Sequence, residues 1–302
     1  AVMKQLAKKL PFMVTGAADL FGSTKNYLKD MGDFSAQNRG GRNIWYGIRA
    51  HAMGAITNGI AYYGIFEPSC ATFLTFAGYM LGAVRVTALS RLPVQFIFTH
   101  DSVGVGMDGP THQPVEHVSS LRLIPNLDVW RPADPIEAIV AWAAAIERRN
   151  GPSALIFSRQ SVSFVDRDEV DADAIARGAY IAAEAPAGAD KVQAIIVATG
   201  SEVDLAMQAR KTLTALNVQV RVVSMPSMDV FDRQDKAWQE EVLPAGIPVL
   251  AIEAGSSALW YKYFKGRGDV MGIDTFGASA PASVLWKHFG FTVERAVEKV
   301  MA

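Results

Sequence analysis

Short apolar runs rich in valine, isoleucine and phenylalanine alternate along this chain with longer stretches whose apolar positions recur every three or four residues. That alternation predicts parallel strands joined by helices, the α/β class. The opening Ala1–Leu10 (AVMKQLAKKL) reads as the middle of an amphipathic helix. Met80–Leu92 is expected to be helical, Pro93 to stop it, and Val94–Phe98 to follow as a buried strand. Asp134 before Pro135, with Glu137 at capping-box distance, opens a helix expected to run to Arg149. Gly151 and Pro152 close that helix, and Ser153–Phe157 supplies the next strand.

The composition changes after Phe164. Asp166–Asp173 carries five acids, and Ala183–Asp190 is rich in alanine with Pro186 and Gly188. A second α/β unit then begins. Val192–Ala198 is its first strand, and Gly200-Ser201 turns into a helix with Asp204 at capping-box distance from Ser201. Val203, Ala206, Met207 and Leu213 share that helix's inner face, and Val218–Val223 and Val249–Ile252 add strands. The expected organisation is a first domain over 1–165, a linker over 166–190 and a second domain over 191–302. Both domains are expected to be doubly wound, with mostly parallel sheets.

At 302 residues, with half of them hydrophobic and a fifth charged, the chain can build two ordinary cores. A net charge of −1 gives no pull toward nucleic acid or an anionic membrane. No apolar run reaches the roughly 18–20 residues of a membrane span, and no signal peptide is visible. Cys70 is the single cysteine, so an intramolecular disulfide is excluded and a reducing cytoplasm is the natural compartment. It reads as a buried apolar thiol.

Candidate chemistry concentrates in Thr99–Pro114, THDSVGVGMDGPTHQP, directly after a predicted strand. Open α/β sheets place ligand crevices at the carboxyl ends of their strands. Either histidine alone could be structural, donating to a loop carbonyl. His100 and His112 together with Asp101 and Asp108 point to function. Gly104, Gly106 and Gly109 fit GxGxxG, but Pro110 and Pro114 deny the helix that a dinucleotide site needs. No helical or cysteine spacing supports zinc. Phe73, Phe76 and Tyr79 recur at intervals of three, as core packing or as a wall for a heteroaromatic ring. Arg159, just past a strand, can pair with a substrate phosphate or with a surface acid.

Taken in order, Gly16–Leu20 (GAADL), Tyr46–Ile56 (YGIRAHAMGAI), Thr99–Pro114, Trp130–Asp134 (WRPAD), Ser158–Gln160 (SRQ) and Ala198–Val203 (ATGSEV) resemble transketolase over essentially the whole chain. The resemblance covers the family's pyrimidine-binding and C-terminal domains and omits the domain that holds the cofactor diphosphate and its metal. It implies transfer of a two-carbon ketol unit from a ketose phosphate to an aldose phosphate. The implied cofactor is thiamine diphosphate with a divalent metal, Mg or Ca, held between subunits. On this sequence Phe73, Phe76 and Tyr79 would pack around the aminopyrimidine ring, with Asp19 near the cofactor. Ser23, His100 and Arg159 would bind the substrate's phosphate end, Asp108 a substrate hydroxyl, and His112 would face the reacting carbons.

Two positions depart from the family pattern. The motif around Tyr46–Ile56 normally has a glutamate after the arginine, where this chain has Ala50. That glutamate relays protons at the cofactor's pyrimidine ring, and acid–base help of this kind is worth ~10²–10⁴ in rate, roughly 3–5 kcal/mol. Arg49, His51, Met53 and Gly54 around it fit the family, so Ala50 reads as an engineered inactivating substitution. A naturally inactive paralogue is the alternative, and Met107, where the family usually has an acid, lends it weight. Second, the family's phosphate-binding arginine precedes the helix that starts here at Ala1. The chain is therefore expected to be a fragment or one half of a split enzyme, working with a diphosphate-binding half in cis or as a separate chain, in a homodimer or heterotetramer. Alone it is expected to retain thiamine diphosphate poorly. The competing readings are a non-catalytic subunit that kept the sugar-phosphate site, and a related thiamine enzyme such as dihydroxyacetone synthase.

Overall fold

The computed structural model describes residues 2–302; Ala1, at the head of the expected first helix, lies outside them. In the first domain six strands are β1 (Met13–Ala17), β2 (Asn43–Trp45), β3 (Glu67–Phe73), β4 (Gln95–Thr99), β5 (Asp128–Trp130) and β6 (Ser153–Phe157). They form one sheet in the order β2–β1–β3–β4–β6–β5, every pair parallel. A parallel sheet carries helices on both faces, which is why β3 and β4 are buried along their whole length, β3 even though it carries Glu67, Ser69 and Thr72. Successive side chains point to opposite faces. Cys70, Phe96, Phe98 and Ile156 thus pack with Met53, Leu74 and Val84 on one side. Ala71, Ile97 and Leu155 pack with Met3, Ala141 and Trp142 on the other.

The helices follow local chemistry. Val2–Lys9 is helical and buries Met3 and Ala7. The helix expected over Met80–Leu92 is shorter, Leu81–Leu89, because Leu74–Met80 winds as a tighter 3₁₀ turn and Arg91 turns left-handed ahead of Pro93. Pro135–Glu147 begins as expected, with Asp134 accepting from the Ile136 and Glu137 amides. Glu137 reaches one residue further back than a capping box requires, accepting from the Ala133 amide at 2.7 Å. Its other oxygen is bound by Tyr180 and Ser224 of the second domain. Burial pushes this carboxyl up, with Ser224, Ala133 and Tyr180 opposing.

The second sheet contains β7 (Tyr180–Ala183), β8 (Ala194–Ala198), β9 (Val220–Ser224), β10 (Val249–Ile252) and β11 (Gly268–Met271). Its order is β11–β10–β8–β9–β7, parallel except for the antiparallel edge strand β7. Both β7 and the short helix Ala172–Ala176 fall within the stretch 166–190, expected to be a linker. The acids there have work to do: Asp171 caps that helix by accepting from Asp173 and Ala174. Ser201 does not cap Glu202–Ala215 through its side chain, because its hydroxyl donates instead to Glu202 at 2.6 Å. On that helix Val203, Ala206 and Leu213 are buried as expected, and Met207 is half-buried.

Candidate active site

The chemistry-bearing residues gather at the carboxyl edge of the first sheet. Asp19 follows β1, Phe73 ends β3, His100 follows β4 and Arg159 follows β6. The register pairs Phe73 with Thr99 and Thr99 with Phe157, so these ends are level. β1 and β3 lie side by side while the chain between them makes β2 on the outer edge. This is the reversal in strand order where open α/β sheets leave a crevice.

Phe73, Phe76 and Tyr79 run from the buried end of β3 out to the surface. They flank or ride the 3₁₀ turn Leu74–Met80, whose three-residue period puts every third side chain in line. Leu74, Ala77 and Met80 take the inward row and are buried. The aromatic row is progressively exposed, from a buried Phe73 to a Tyr79 with 72% of its surface open. Ring centroids are 5.8 Å apart for Phe73–Phe76 and 5.9 Å for Phe76–Tyr79. Both histidines join this wall: His100 stacks on Phe73 at 3.6 Å, and His112 meets Phe76 edge-on at 5.4 Å.

His100 is buried and takes a left-handed φ of 64°, uncommon for a residue with a side chain. Its Nδ1 lies 2.8 Å from Thr99 Oγ1. With Thr99 donating, the ring proton sits on Nε2. The other face of the loop opens on a cavity of about 570 Å³ lined by Ser23, His100 and Arg159, together with Lys25, Asn26 and Ser158. Burial, then the positive Arg159, lower the His100 imidazole to about 4, with His112 adding to the lowering and Asp108 and Asp101 opposing it. At neutral pH the ring is therefore an uncharged hydrogen-bond donor, and the fixed positive charge of the trio comes from Arg159. The unfolded ring, near 6.5, binds a proton that the folded one refuses. The stability from neutral His100 is therefore whole above pH 6.5 and is lost as pH falls toward about 4. An NMR titration is expected to find this imidazole titrating well below an ordinary histidine, and a midpoint near 6.5 would refute the assignment.

The other expected residues are placed more loosely. Asp108 and His112 act on His100 through their charge, Asp108 from an exposed position and His112 half-buried. Asp19 stands exposed just past β1 with a φ of 66°. Ala50 is the first residue of the helix Ala50–Tyr63, whose first turn holds no acid, and packs against the cluster containing Leu74 and Met80. Sequence reasoning missed Lys25 and its clamp. Thr24 donates to Asn26 at 2.6 Å and Asn26 to Thr15 at 2.9 Å, which holds Lys25 left-handed at φ 59° beside the cavity. It also missed Arg131, a buried arginine paired with Asp101 and Glu202. The motif GAADLFGSTKN could have drawn attention to Lys25; nothing local marks Arg131 as buried.

Fold and site together define a doubly wound α/β protein whose first sheet carries, at its carboxyl edge, a cavity lined by Lys25, His100 and Arg159 and, joined to it through His100, a row of aromatic rings. Two family models match it, "Transketolase, pyrimidine binding domain" over residues 1–164 and "Transketolase-like TK C-terminal domain" over 178–292. It is 51% identical over 298 residues to transketolase 1 of Pasteurella multocida, covering 98% of this chain and 45% of that protein. It is 46% identical over 303 residues to the transketolase of Bacillus subtilis, covering 100% of this chain and 45% of that one. The transketolase structure from Leishmania mexicana superposes with a TM-score of 0.93 at 43% identity, covering 99% of this chain and 43% of that chain. A structure described as a split-gene transketolase, inactive β4 tetramer, shares the fold with a TM-score of 0.77 at 23% identity, covering 99% of this chain and 94% of that one. The chain belongs to the transketolase family. It spans less than half the length of the curated relatives it matches.

The family implies thiamine diphosphate and a divalent metal. The residues present fit one end of that cofactor: an exposed aromatic row beside a crevice suits a flat heteroaromatic ring. They do not fit the metal, since no group of three or more His, Cys, Asp or Glu side chains is gathered for one among the described residues. No helix among them is long and apolar enough to cross a membrane.

Proposed function

We propose that this chain is the C-terminal half of a transketolase, moving a two-carbon ketol unit between sugar phosphates in the cytoplasm, with its activity impaired by Ala50. The observation that carries the reading is one cavity lined by Ser23, His100 and Arg159, with His100 also stacked on the aromatic wall. In this reading 1–165 binds the pyrimidine, 166–190 joins the domains and 191–302 is the C-terminal domain. The diphosphate-binding half comes in cis or as a separate chain, within a homodimer or heterotetramer, and brings the ligands for Mg or Ca. Apolar side chains left open on and around the helix that begins at Ala50 support a covering partner: Ile48 is 90% exposed, and Trp45, Ile56 and Tyr63 are exposed with it.

When bound, thiamine diphosphate supplies the electron sink for breaking and re-forming a carbon–carbon bond beside a carbonyl. Phe73, Phe76 and Tyr79 would hold its pyrimidine end, with Asp19 near it, and would keep water from that side. Arg159 supplies charge and His100 Nε2 and Ser23 supply hydrogen bonds to the phosphate end of the sugar. Asp108 accepts from a sugar hydroxyl, and His112, against Phe76, is placed to move a proton at the reacting carbons.

The test combines this chain with a diphosphate-binding half, thiamine diphosphate and magnesium, and measures ketol transfer with Ala50 and with Ala50→Glu. Absence of transfer in both would refute the catalytic reading. Arg159→Ala is expected to raise the KM for a ketose phosphate by about 10–100-fold, the size of a charge-assisted hydrogen bond, with kcat little changed. An unphosphorylated ketose should show no such rise. A second reading, a non-catalytic subunit that kept the sugar-phosphate site, is favoured by Ala50 itself; it predicts phosphate binding with no transfer even after Ala50→Glu.

A further inference from the structure

His100 and Arg159 flank the cavity from neighbouring strands, and each is followed by a side chain tied into the second domain. Asp101 accepts from Arg131 Nε at 3.0 Å and Nη2 at 2.7 Å, and Arg131 Nη1 donates to Glu202 Oε2 at 2.5 Å. Gln160 donates to Ser201 Oγ at 3.2 Å, and that hydroxyl donates to Glu202 Oε1 at 2.6 Å. Both ties therefore end on one carboxylate, which the Ala254 amide fixes in turn at 2.9 Å. Asp101, Arg131 and Glu202 are all buried. Gly104 adds a packing constraint, because a β-carbon there would lie 2.7 Å from Gln160 Oε1. The left-handed backbone of His100 needs such support, since strained conformations persist only where the surroundings over-determine them.

We propose that Glu202 is a positioning residue through which the second domain sets the span between His100 and Arg159, and with it the affinity of the cavity for a phosphate group. Glu202 touches no substrate; it acts through Asp101 on one wall and Gln160 on the other. The proposal rests on reading the cavity as the phosphate end of the site. Mobile ties at either wall would let the two donors drift apart, and a tetrahedral oxyanion rewards donors held at fixed separation.

The test is titration of the isotope-labelled chain with inorganic phosphate, followed by NMR at the His100 imidazole and the Arg159 guanidinium. Ser201→Ala cuts the Gln160 tie and takes one hydrogen bond from Glu202 while leaving its ion pair with Arg131 in place, and Glu202→Ala cuts both. Each is expected to weaken phosphate binding about 3–10-fold, the worth of a typical hydrogen bond. Ser201→Thr, which keeps the hydroxyl, and Glu202→Gln, which keeps the shape, are expected to restore it. A purely structural role would lower the melting temperature and leave phosphate affinity unmoved. Should Glu202→Ala fail to fold, Ser201→Ala decides alone. Undiminished affinity in Ser201→Ala, where Arg159→Ala does lose affinity, would overturn this proposal only. Undiminished affinity in Arg159→Ala would overturn the phosphate reading and this proposal with it.

Discussion

Ala50→Glu is expected to raise ketol transfer by the assembled enzyme about 10²–10⁴-fold, the usual worth of a positioned acid–base group. Position 50 suits a carboxylate structurally. It is the first residue of a helix with no acid in its first turn, where a negative charge is favoured by the helix dipole by about 0.3–1 kcal/mol. Ala50 is half-buried at the rim of the cluster beneath the aromatic turn, so a longer side chain has an outlet. The variant is therefore expected to fold as the parent does. The rate should change through kcat, because the cavity lined by Ser23, His100 and Arg159, proposed here for the phosphate end of the sugar, does not involve this helix. A variant that binds sugar phosphate yet transfers nothing would sink the idea that Ala50 alone impairs the enzyme.

Arg131→Met is expected to cost about 3–5 kcal/mol of stability, as removal of one partner from a buried ion pair does. Two arginines, Arg122 and Arg131, serve three buried carboxylates there, Asp101, Glu202 and Glu253. Burial alone would discourage the charge on Arg131, but Glu202, Asp101 and Glu253 outweigh it and push its pKa up. Burial pushes Glu202 up in spite of Arg131, while Arg122 and Arg131 hold Glu253 below the usual range against burial. Methionine would fill the volume and leave the acids facing one another. Urea unfolding of the two proteins measures the difference. A loss under 1 kcal/mol would mean that water or a shared proton compensates for the missing guanidinium.

The fold was legible where the chain carries strong local signals. Asp134-Pro135 opens its helix through cap hydrogen bonds that any reader of the sequence could draw, and Ser153–Phe157 and Val249–Ile252 lie where their apolar runs lie. β2 and β5 were missed because three residues are too few to show a period, and β7 because it hides between acids and alanines. The aromatic row was ambiguous since a three-residue interval suits neither an α-helix nor a strand; the 3₁₀ turn accounts for it. Of the site, the histidine loop and Arg159 stood out as polar residues after strands. The neutrality of His100 did not, because its burial against Phe73 depends on residues far apart in the chain. Arg131 reads as any surface arginine until Asp101 and Glu202 are brought to it from two domains.

Cys70 sits in the middle of β3, 1% exposed, and burial raises its thiol to about 12. As long as the sheet stays closed this sulfur is almost never a thiolate and never meets solvent, so mild oxidants and alkylating reagents have nothing to attack. Modification must wait for β3 to come apart from its neighbours, so the free energy of that opening scales down whatever rate the reagent has on an exposed thiol. The lone thiol thus keeps a tally of how often the first domain breathes, from inside the strand that ends in the aromatic wall.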